Sequence, residues 1–332
     1  MRPLLAPRPA GPVRRGTQPT FSAVIAAYQA AAFIPDAIES LLAQTLSPVE
    51  IIVCDDGSTD DLLDALAPYR DRILLLQKEN GGEASAKNAG AKAASGEFIA
   101  ILDADDVYYP ERLEALAELS VHRPDLDILT TDCLLVAGGH VVRNCYHGDY
   151  RFEVHDQRRG ILERNFVGPG HMAVRRERLL ALGGFDESFR RATDWDCWIR
   201  MIMAGSRAGM VNEPLAEYRV RETSLASNRL RQFEAYVAVV EKAARRLDLS
   251  PEERAVLDRS VAAQRRRVAL WRTETALVEG SPDARRLALG IASTRGYPAG
   301  VRVKAALAAA LPGSARKRLA ARGRELAGGI RT

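Results

Sequence analysis

Residues 101–113 read ILDADDVYYPERL, with three carboxylates, Asp103, Asp105 and Asp106, in four positions behind an apolar run. Like charges so close repel, so the cluster calls for a partner. In an extended chain side chains alternate faces, which puts Asp103 and Asp105 on one side and Asp106 on the other. Two same-side carboxylates at a strand end suit a hard divalent cation such as Mg²⁺ or Mn²⁺, which takes oxygen ligands and shares its shell with phosphates. The plainer alternative is an acidic cap for a helix opening at Pro110, favoured by the helix dipole. It accounts for Asp106 and leaves the same-side pair unexplained. On the cation reading, residues 103–106 should be the least settled part of the site without ligand.

Two further acidic groups stand where chemistry could occur: DDGSTD at 55–60, and Asp194 with Asp196 in TDWDCWIRM. The second pair opens a helix whose apolar face would be Trp195, Trp198, Ile199 and Ile202. Either acid there could instead favour the helix N-terminus, a role that suits Asp196.

The elements that must position these groups follow from periodicity. FSAVIA (21–26), VEIIVC (49–54), RILLLQ (72–77), EFIAIL (97–102) and LDILTT (126–131) read as strands. Between them PDAIESLLAQTL, TDDLLDALAPY, GEASAKNAGAKAA and PERLEALAEL read as helices, the second capped by Ser58 or Thr59. Strand–helix alternation predicts an α/β fold, a Rossmann-like, mostly parallel sheet with helices on both faces. In such sheets ligands bind beyond the carboxyl ends of the strands, where both DDGSTD and DADD fall. Past residue 228, helical segments separated by Ser-Pro or Gly breaks predict a C-terminal α-helical appendage.

The chain has 332 residues, 47% of them hydrophobic, enough for one large domain with an appendage. Its four cysteines are far apart and form no C-x-x-C pair, which argues against a disulfide scaffold or a structural zinc and favours a reducing compartment. The N-terminus is basic and broken by prolines, unlike a signal peptide, and no run suits a membrane span. The expectation is a cytoplasmic protein, soluble or peripheral at the inner face of the membrane. The net charge of +4 is uneven: residues 1–20 hold four Arg and no acid, and 301–332 hold eight Lys or Arg against one Glu, leaving −7 between them. Positive charge on the flanks argues against a nucleic-acid partner. The basic C-terminus could touch an anionic membrane or be solvated.

Taken in order, VIAAYQAAAFIPDAIESLLAQTL, VEIIVCDDGSTD, NGGEASAKNAG, GEFIAILDADDVYYPERL, GGFDE and TDWDCWIRM resemble the family 2 inverting glycosyltransferases, from about residue 21 to residue 225. The resemblance implies the GT-A fold. It divides the chain into a disordered basic arm (1–20), a catalytic domain (21–228) and a helical basic region (229–332). It implies a nucleotide diphosphate sugar donor, with uridine favoured, and a hydroxyl acceptor on a glycan, a lipid-linked saccharide or a small metabolite, as in cell-surface polysaccharide synthesis.

By that resemblance Ala26 and Tyr28 line the nucleoside site, Tyr28 packing on the base, and Asp55 or Asp56 accepts its N–H. Lys87 stands where the family commonly has Arg and would be a cation near the diphosphate. Asp105 becomes the principal ligand of Mn²⁺ or Mg²⁺, with Asp103 assisting through the ribose or metal-bound water. Asp194 becomes the general base. His171, Trp195 and Arg221 are candidates on the acceptor side. Arg221 stands where the family often has His, and Ala26 where Pro is frequent. Plain readings stand beside these: core packing for Tyr28, a capped turn for DDGSTD, a solvated Lys87, a structural His171.

Two rival classes remain. A phosphatase of the haloacid dehalogenase type would use Asp103 as nucleophile, but its motif belongs after the first strand. A nucleotide-sugar-binding protein without turnover would have no need of Asp194. A nucleotidyltransferase would require a glycine-rich loop where AAYQAAAF stands.

Overall fold

The computed structural model describes residues 18–148, 150–168, 171–220, 229–315 and 317–319. Expectations that fall on residues 1–17 or 221–228, including the basic arm and Arg221, lie outside the described residues. The chain divides at Val220: one unit runs to Val220 and takes in Leu249–Val256, and the other comprises Arg221–Asp248 and Leu257–Thr332.

In the first unit β1 (Phe21–Ala27), β2 (Glu50–Asp55), β3 (Leu74–Gln77) and β4 (Phe98–Asp103) pair in parallel in the order β3-β2-β1-β4. The sheet continues through β8 (Ala173–Arg175), β6 (Ile128–Ala137), β9 (Ala208–Val220) and β5 (Val107–Tyr108), with β7 (His140–Asn144) paired to β6. β8 runs antiparallel to both its neighbours, and β6 and β9 run parallel. The mostly parallel α/β sheet expected from the sequence is therefore present.

The central strands are buried on both faces, which is why their sequences are continuously apolar rather than alternating. Phe21, Ala23 and Ile25 join Ile34, Ile38 and Leu41 of α1 (Ile34–Leu42) and Leu113 and Leu116 of α4 (Arg112–His122) in the main core. Val24 faces the other way, onto α3 (Glu83–Ala93), where a side chain at Gly90 would overlap it. Helices thus cover both faces.

Four local expectations need correction. Helix α2 spans Leu62–Leu66 and passes into a 3₁₀ turn, Ala67–Tyr69, because Pro68 cannot continue it. Ser58 and Thr59 do not cap it; their hydroxyls meet Gln29 instead. Helix α4 starts at Arg112, with Pro110 in the preceding turn. Cys133 and Cys145 form a disulfide across the β6–β7 hairpin, a pairing made by strand register that their separation in sequence does not reveal.

The second unit is helical, as expected: α8 (Arg229–Arg246), most of α9 (Pro251–Glu279), α10 (Ala284–Ser293) and α11 (Ala299–Ala310). Ion pairs Glu241–Arg265 and Glu234–Arg272, both 2.7 Å, link α8 to α9. Among the described residues no helix is long and apolar enough to cross a membrane.

Candidate active site

The sheet order reverses between β1 and β4: the chain steps from β1 outward through β2 and β3, then returns to β1's other side. Register places Ala26 beside Asp103 and Ala27 beside Asp55. The carboxyl ends of β1, β2 and β4 therefore gather the first two acidic clusters at the crevice where an open α/β sheet binds ligands.

On one side, Tyr28 is 53% exposed, which removes the core-packing reading and leaves its ring accessible. Gln29 follows with φ 52°, one of two non-glycine residues with positive φ among those described. Its side-chain carbonyl accepts from the backbone N–H groups of Thr59 (2.7 Å) and Asp60 (3.1 Å), and its backbone N–H donates to Ser58 Oγ (3.1 Å). The β1 loop and the DDGSTD turn are thereby one structure. Asp55 accepts from Ser58 N–H at 2.8 Å. Asp56, buried, accepts from Lys78 (2.8 Å), Gly81 N–H (2.9 Å) and Gly82 N–H (2.7 Å). DDGSTD is thus more than a capped turn, because Asp56 fixes the loop that launches α3.

Gly82 ends that loop with φ 91°, a conformation glycine adopts at no steric cost. One turn into α3, Lys87 is 3% exposed, bonded to Glu83 and within 2.9 Å of Asp103. Burial alone would lower the pKa of its ammonium. The flanking Asp103 and Glu83 carboxylates override that and raise it, so Lys87 is a permanent buried cation. It is not the solvated helix lysine of the plainer reading.

The DADD segment is a turn, not a continued strand: β4 ends at Asp103, and Asp106 N–H donates to the Asp103 carbonyl at 3.0 Å. Alternation of faces therefore does not decide where these side chains go. Asp103 meets Lys87, and Asp105 is half-buried between two anchored neighbours. Asp106 is not a helix cap. It is buried, bonded to His171 Nε2 at 2.7 Å, and accepts from Arg219 N–H at 2.7 Å. Both ends of the turn are tied down, Asp103 by Lys87 and Asp106 by His171 and the Arg219 amide.

His171 is only 2% exposed and is committed to Asp106, so its side chain is not presented to an acceptor. Its other ring nitrogen, Nδ1, is buried without a hydrogen-bond partner among the described residues. Trp195 is likewise buried, its indole N–H on the Ile161 carbonyl at 2.8 Å. The resemblance offers both as acceptor-side contacts, and both side chains lie buried in this structure.

Asp194 lies in the first turn of α7 (Thr193–Met203), entered through Ala192 at φ 56°, the other non-glycine residue in the left-handed region. Such strain concentrates at functional sites. Asp194 is half-buried, and Asn165 Nδ2 donates to it at 2.8 Å. Burial comes first among the causes that push its carboxyl up to about 6, with the Glu83 charge adding to the rise and the Trp195 N–H, Lys87 and Asn165 opposing it. Asp194 thus senses the same Lys87 that holds Asp103. Asp196 does something different: it pairs with Arg200 at 2.8 Å, and Arg200 reaches the carbonyls of Leu182 and Gly184.

Asp103 and Asp105 supply oxygen donors at one turn, and no group of three His, Cys, Asp or Glu side chains suited to a metal occurs among the described residues. That donor set fits Mg²⁺ or Mn²⁺ bound by one or two carboxylates together with a substrate diphosphate, rather than a closed protein cage.

Several residues that build the site were not singled out from sequence. Asn88 donates to the Phe185 carbonyl (2.8 Å) and Glu187 (2.9 Å) and accepts from Phe185 N–H (2.8 Å), tying α3 to GGFDE. Asn165 is held in turn by Tyr150, whose hydroxyl donates to its carbonyl. Glu83 and Gln29 complete the set. The polar residues Glu83 and Asn88, flanking Lys87 on a helix rich in small residues, were the available signal; Gln29 and Asn165 had none.

Residues 22–181 match the model of Glycosyl transferase family 2. An uncharacterized glycosyltransferase of Rickettsia typhi is 32% identical over 230 residues, 67% of this chain and 70% of that one. The putative teichuronic acid biosynthesis glycosyltransferase TuaG of Bacillus subtilis is 29% identical over 216 residues, 64% of this chain and 83% of its own. In structure the chain is similar to Staphylococcus aureus TarS 1–349 in complex with UDP-GlcNAc, with TM-score 0.61, 19% identity, and coverage of 90% of this chain and 89% of that one. It spans 54% of the longer TarS structure. The mannosyltransferase PcManGT of Pyrobaculum calidifontis, in complex with GDP-Man and Mn²⁺, gives TM-score 0.59 at 21% identity, covering 96% of this chain and 88% of that one. At these identities the structures establish the fold, and the sequence relatives establish the kinship. The chain belongs to glycosyl transferase family 2 and is a glycosyltransferase of GT-A fold.

Proposed function

We propose that this glycosyltransferase moves a sugar from a uridine diphosphate sugar to a hydroxyl of a glycan, a lipid-linked saccharide or a small metabolite, with inversion at the anomeric carbon. The observation that carries the reading is Asp194: a half-buried carboxylate, its pKa raised to about 6, electrostatically joined through Lys87 to Asp103. A base with that pKa is ionised at neutral pH and strong enough to take a hydroxyl proton in the transition state. A binder without turnover would have no use for it. The family membership removes the phosphatase alternative.

In the proposed reaction Asp194 accepts the proton of the acceptor hydroxyl as its oxygen attacks the anomeric carbon. The bond to the diphosphate breaks on the opposite face, and the nucleoside diphosphate leaves. Tyr28 packs against the base, and an Asp55 or Asp56 oxygen accepts its N–H, which selects a base that offers a donor. Lys87 adds a fixed positive charge beside Asp103. A divalent cation held by Asp105 and Asp103, when bound, supplies Lewis-acid neutralisation of the leaving diphosphate.

TuaG, with teichuronic acid biosynthesis in its name, supports a cell-surface polysaccharide as product class, as do matches to Pasteurella multocida chondroitin synthase and hyaluronan synthase over 56% of this chain. A cytoplasmic setting goes with such a donor.

The test is a thermal-shift panel of nucleoside diphosphates with and without Mn²⁺ on wild type and Asp105→Ala, followed by NMR of the product's anomeric configuration. The expected result is stabilisation by UDP that grows with Mn²⁺, as RT ln(1 + [L]/Kd), and disappears in the variant. Equal response to all bases removes the uridine assignment, and a product of retained configuration removes the inverting mechanism.

A further inference from the structure

Helix α11 (Ala299–Ala310) faces the wrong way for a helix meant to stay in water. Its inward side is small: Ala309 is buried, Ala305 and Ala308 are half-buried, and Ala308 packs on the cluster of Ala276, Leu277 and Ala284. Its larger side chains point out. Val303 is 60% exposed and Leu307 57%, with Leu311 just beyond the helix end at 60%. At i, i+4 and i+8 they lie one above another on a single face. Ala306 and Ala310 are exposed beside them, so the stripe is continuous. Single exposed leucines are ordinary, whereas a rimmed apolar stripe marks an interaction surface.

The rim is basic. Between Ser281 and Leu319 the sequence holds eight Lys or Arg against one acid, Asp283. Lys304 stands exposed on α11, and Lys317 and Arg318 are exposed a few residues on. Arg302 is turned inward to the Ala292 carbonyl (3.0 Å), so the helix carries little charge across its outer face. No described helix can span a bilayer.

We propose that this face docks on an anionic lipid surface, with Val303, Leu307 and Leu311 entering the acyl boundary and Lys304, Lys317 and Arg318 in the headgroup layer. An apolar stripe with basic flanks is the pattern of helices that lie in the interface plane. Charge complementarity selects lipid over a second copy of the same face, because two such faces would bring like charges together. The inference does not depend on the donor or the acceptor, and its test reads binding, not turnover.

The experiment is co-sedimentation of the full chain with phosphatidylcholine vesicles, alone or with about one-third phosphatidylglycerol. Binding is expected on the anionic vesicles and should weaken with salt. Leu307→Ser/Leu311→Ser should lose roughly tenfold or more, and Lys304→Gln about fivefold, both with wild-type thermal unfolding because these side chains are already exposed. Equal binding to both vesicle types, or a double variant that sediments like wild type, overturns the proposal. So does absence from vesicles combined with a dimer in light scattering that the double variant dissolves, which would assign the face to a second copy of this chain.

Discussion

Lys87 lies between Glu83 and Asp103, with its ammonium 2.9 Å from Asp103 and almost wholly sealed from solvent. A single buried cation therefore neutralises the end of β4 before any donor or metal arrives, and it connects that end to the electrostatic surroundings of Asp194.

Removing that cation should cost stability. Lys87→Met leaves two carboxylates facing a site without a counter-charge, but both are partly hydrated, so the loss should be about 2 kcal/mol, below the range for fully buried pairs. Denaturant melts will measure it. Glu83→Gln on the Lys87→Met background should recover part of the loss, and a purely additive double variant would argue that the carboxylates do not interact through Lys87.

The raised Asp194 carboxyl predicts opposite effects on stability and activity. Its folded pKa of about 6 exceeds the unfolded value near 4, so the native state binds the proton more tightly within that window. Stability contributed by this group is present below pH 4 and is lost as pH rises through 6. Asp194→Asn should thus melt higher at pH 8, by about 1–2 kcal/mol, and match wild type at pH 4. Activity of the same variant should fall about 10² to 10⁴-fold.

Wild-type kcat/KM should climb with pH and level off above about 6. Asn165 donates to the charged form of Asp194 and so lowers its pKa. Asn165→Leu should move the acidic limb to higher pH. A profile that loses height without moving would mean Asn165 orients the carboxylate rather than tuning it.

Gly184 and Gly183 form an internal control. Both have positive φ, so alanine strains either backbone, but a side chain at Gly184 would also overlap Asn88 Oδ1, while Gly183 faces open space. Gly184→Ala should lose about 1–3 kcal/mol more than Gly183→Ala and should lower activity by loosening α3 from GGFDE.

The cross-link between Cys133 and Cys145 closes a short loop. Replacing both with Ser should lower stability by about 2–3 kcal/mol on loop entropy, and wild type in reductant should melt at the temperature of the double variant.

What the sequence made legible follows from how each feature is encoded. Buried parallel strands announce themselves as unbroken apolar runs, and Asp55 and Asp103 end two of them, so the sheet and the place of these two acids at its carboxyl edge are legible by position, whereas Asp194, in the first turn of a helix, is singled out by the resemblance. Asp106 reads as a helix cap and lies buried against His171, while the burial of His171 and Trp195 goes with the structural alternatives the sequence also offers; a polar or aromatic side chain near a strand or helix end has the same spacing whether it faces the crevice or the interior. Only tertiary contacts make that distinction, here the Asp106 bond to a histidine 65 residues away. The disulfide eluded the reading likewise, because strand register and not cysteine spacing creates it. Gln29 and Asn165 act through side-chain bonds to partners about 30 residues away in sequence, which no local residue pattern reports.

The DADD turn has both its outer residues fastened, Asp103 to Lys87 and Asp106 to His171 and the Arg219 amide, with Asp105 between them. Such a bracket surrenders little conformational freedom on meeting a ligand. Asp106→Asn should then weaken donor binding and make the total binding entropy measured by calorimetry less favourable, because the ligand would have to order the loosened bracket.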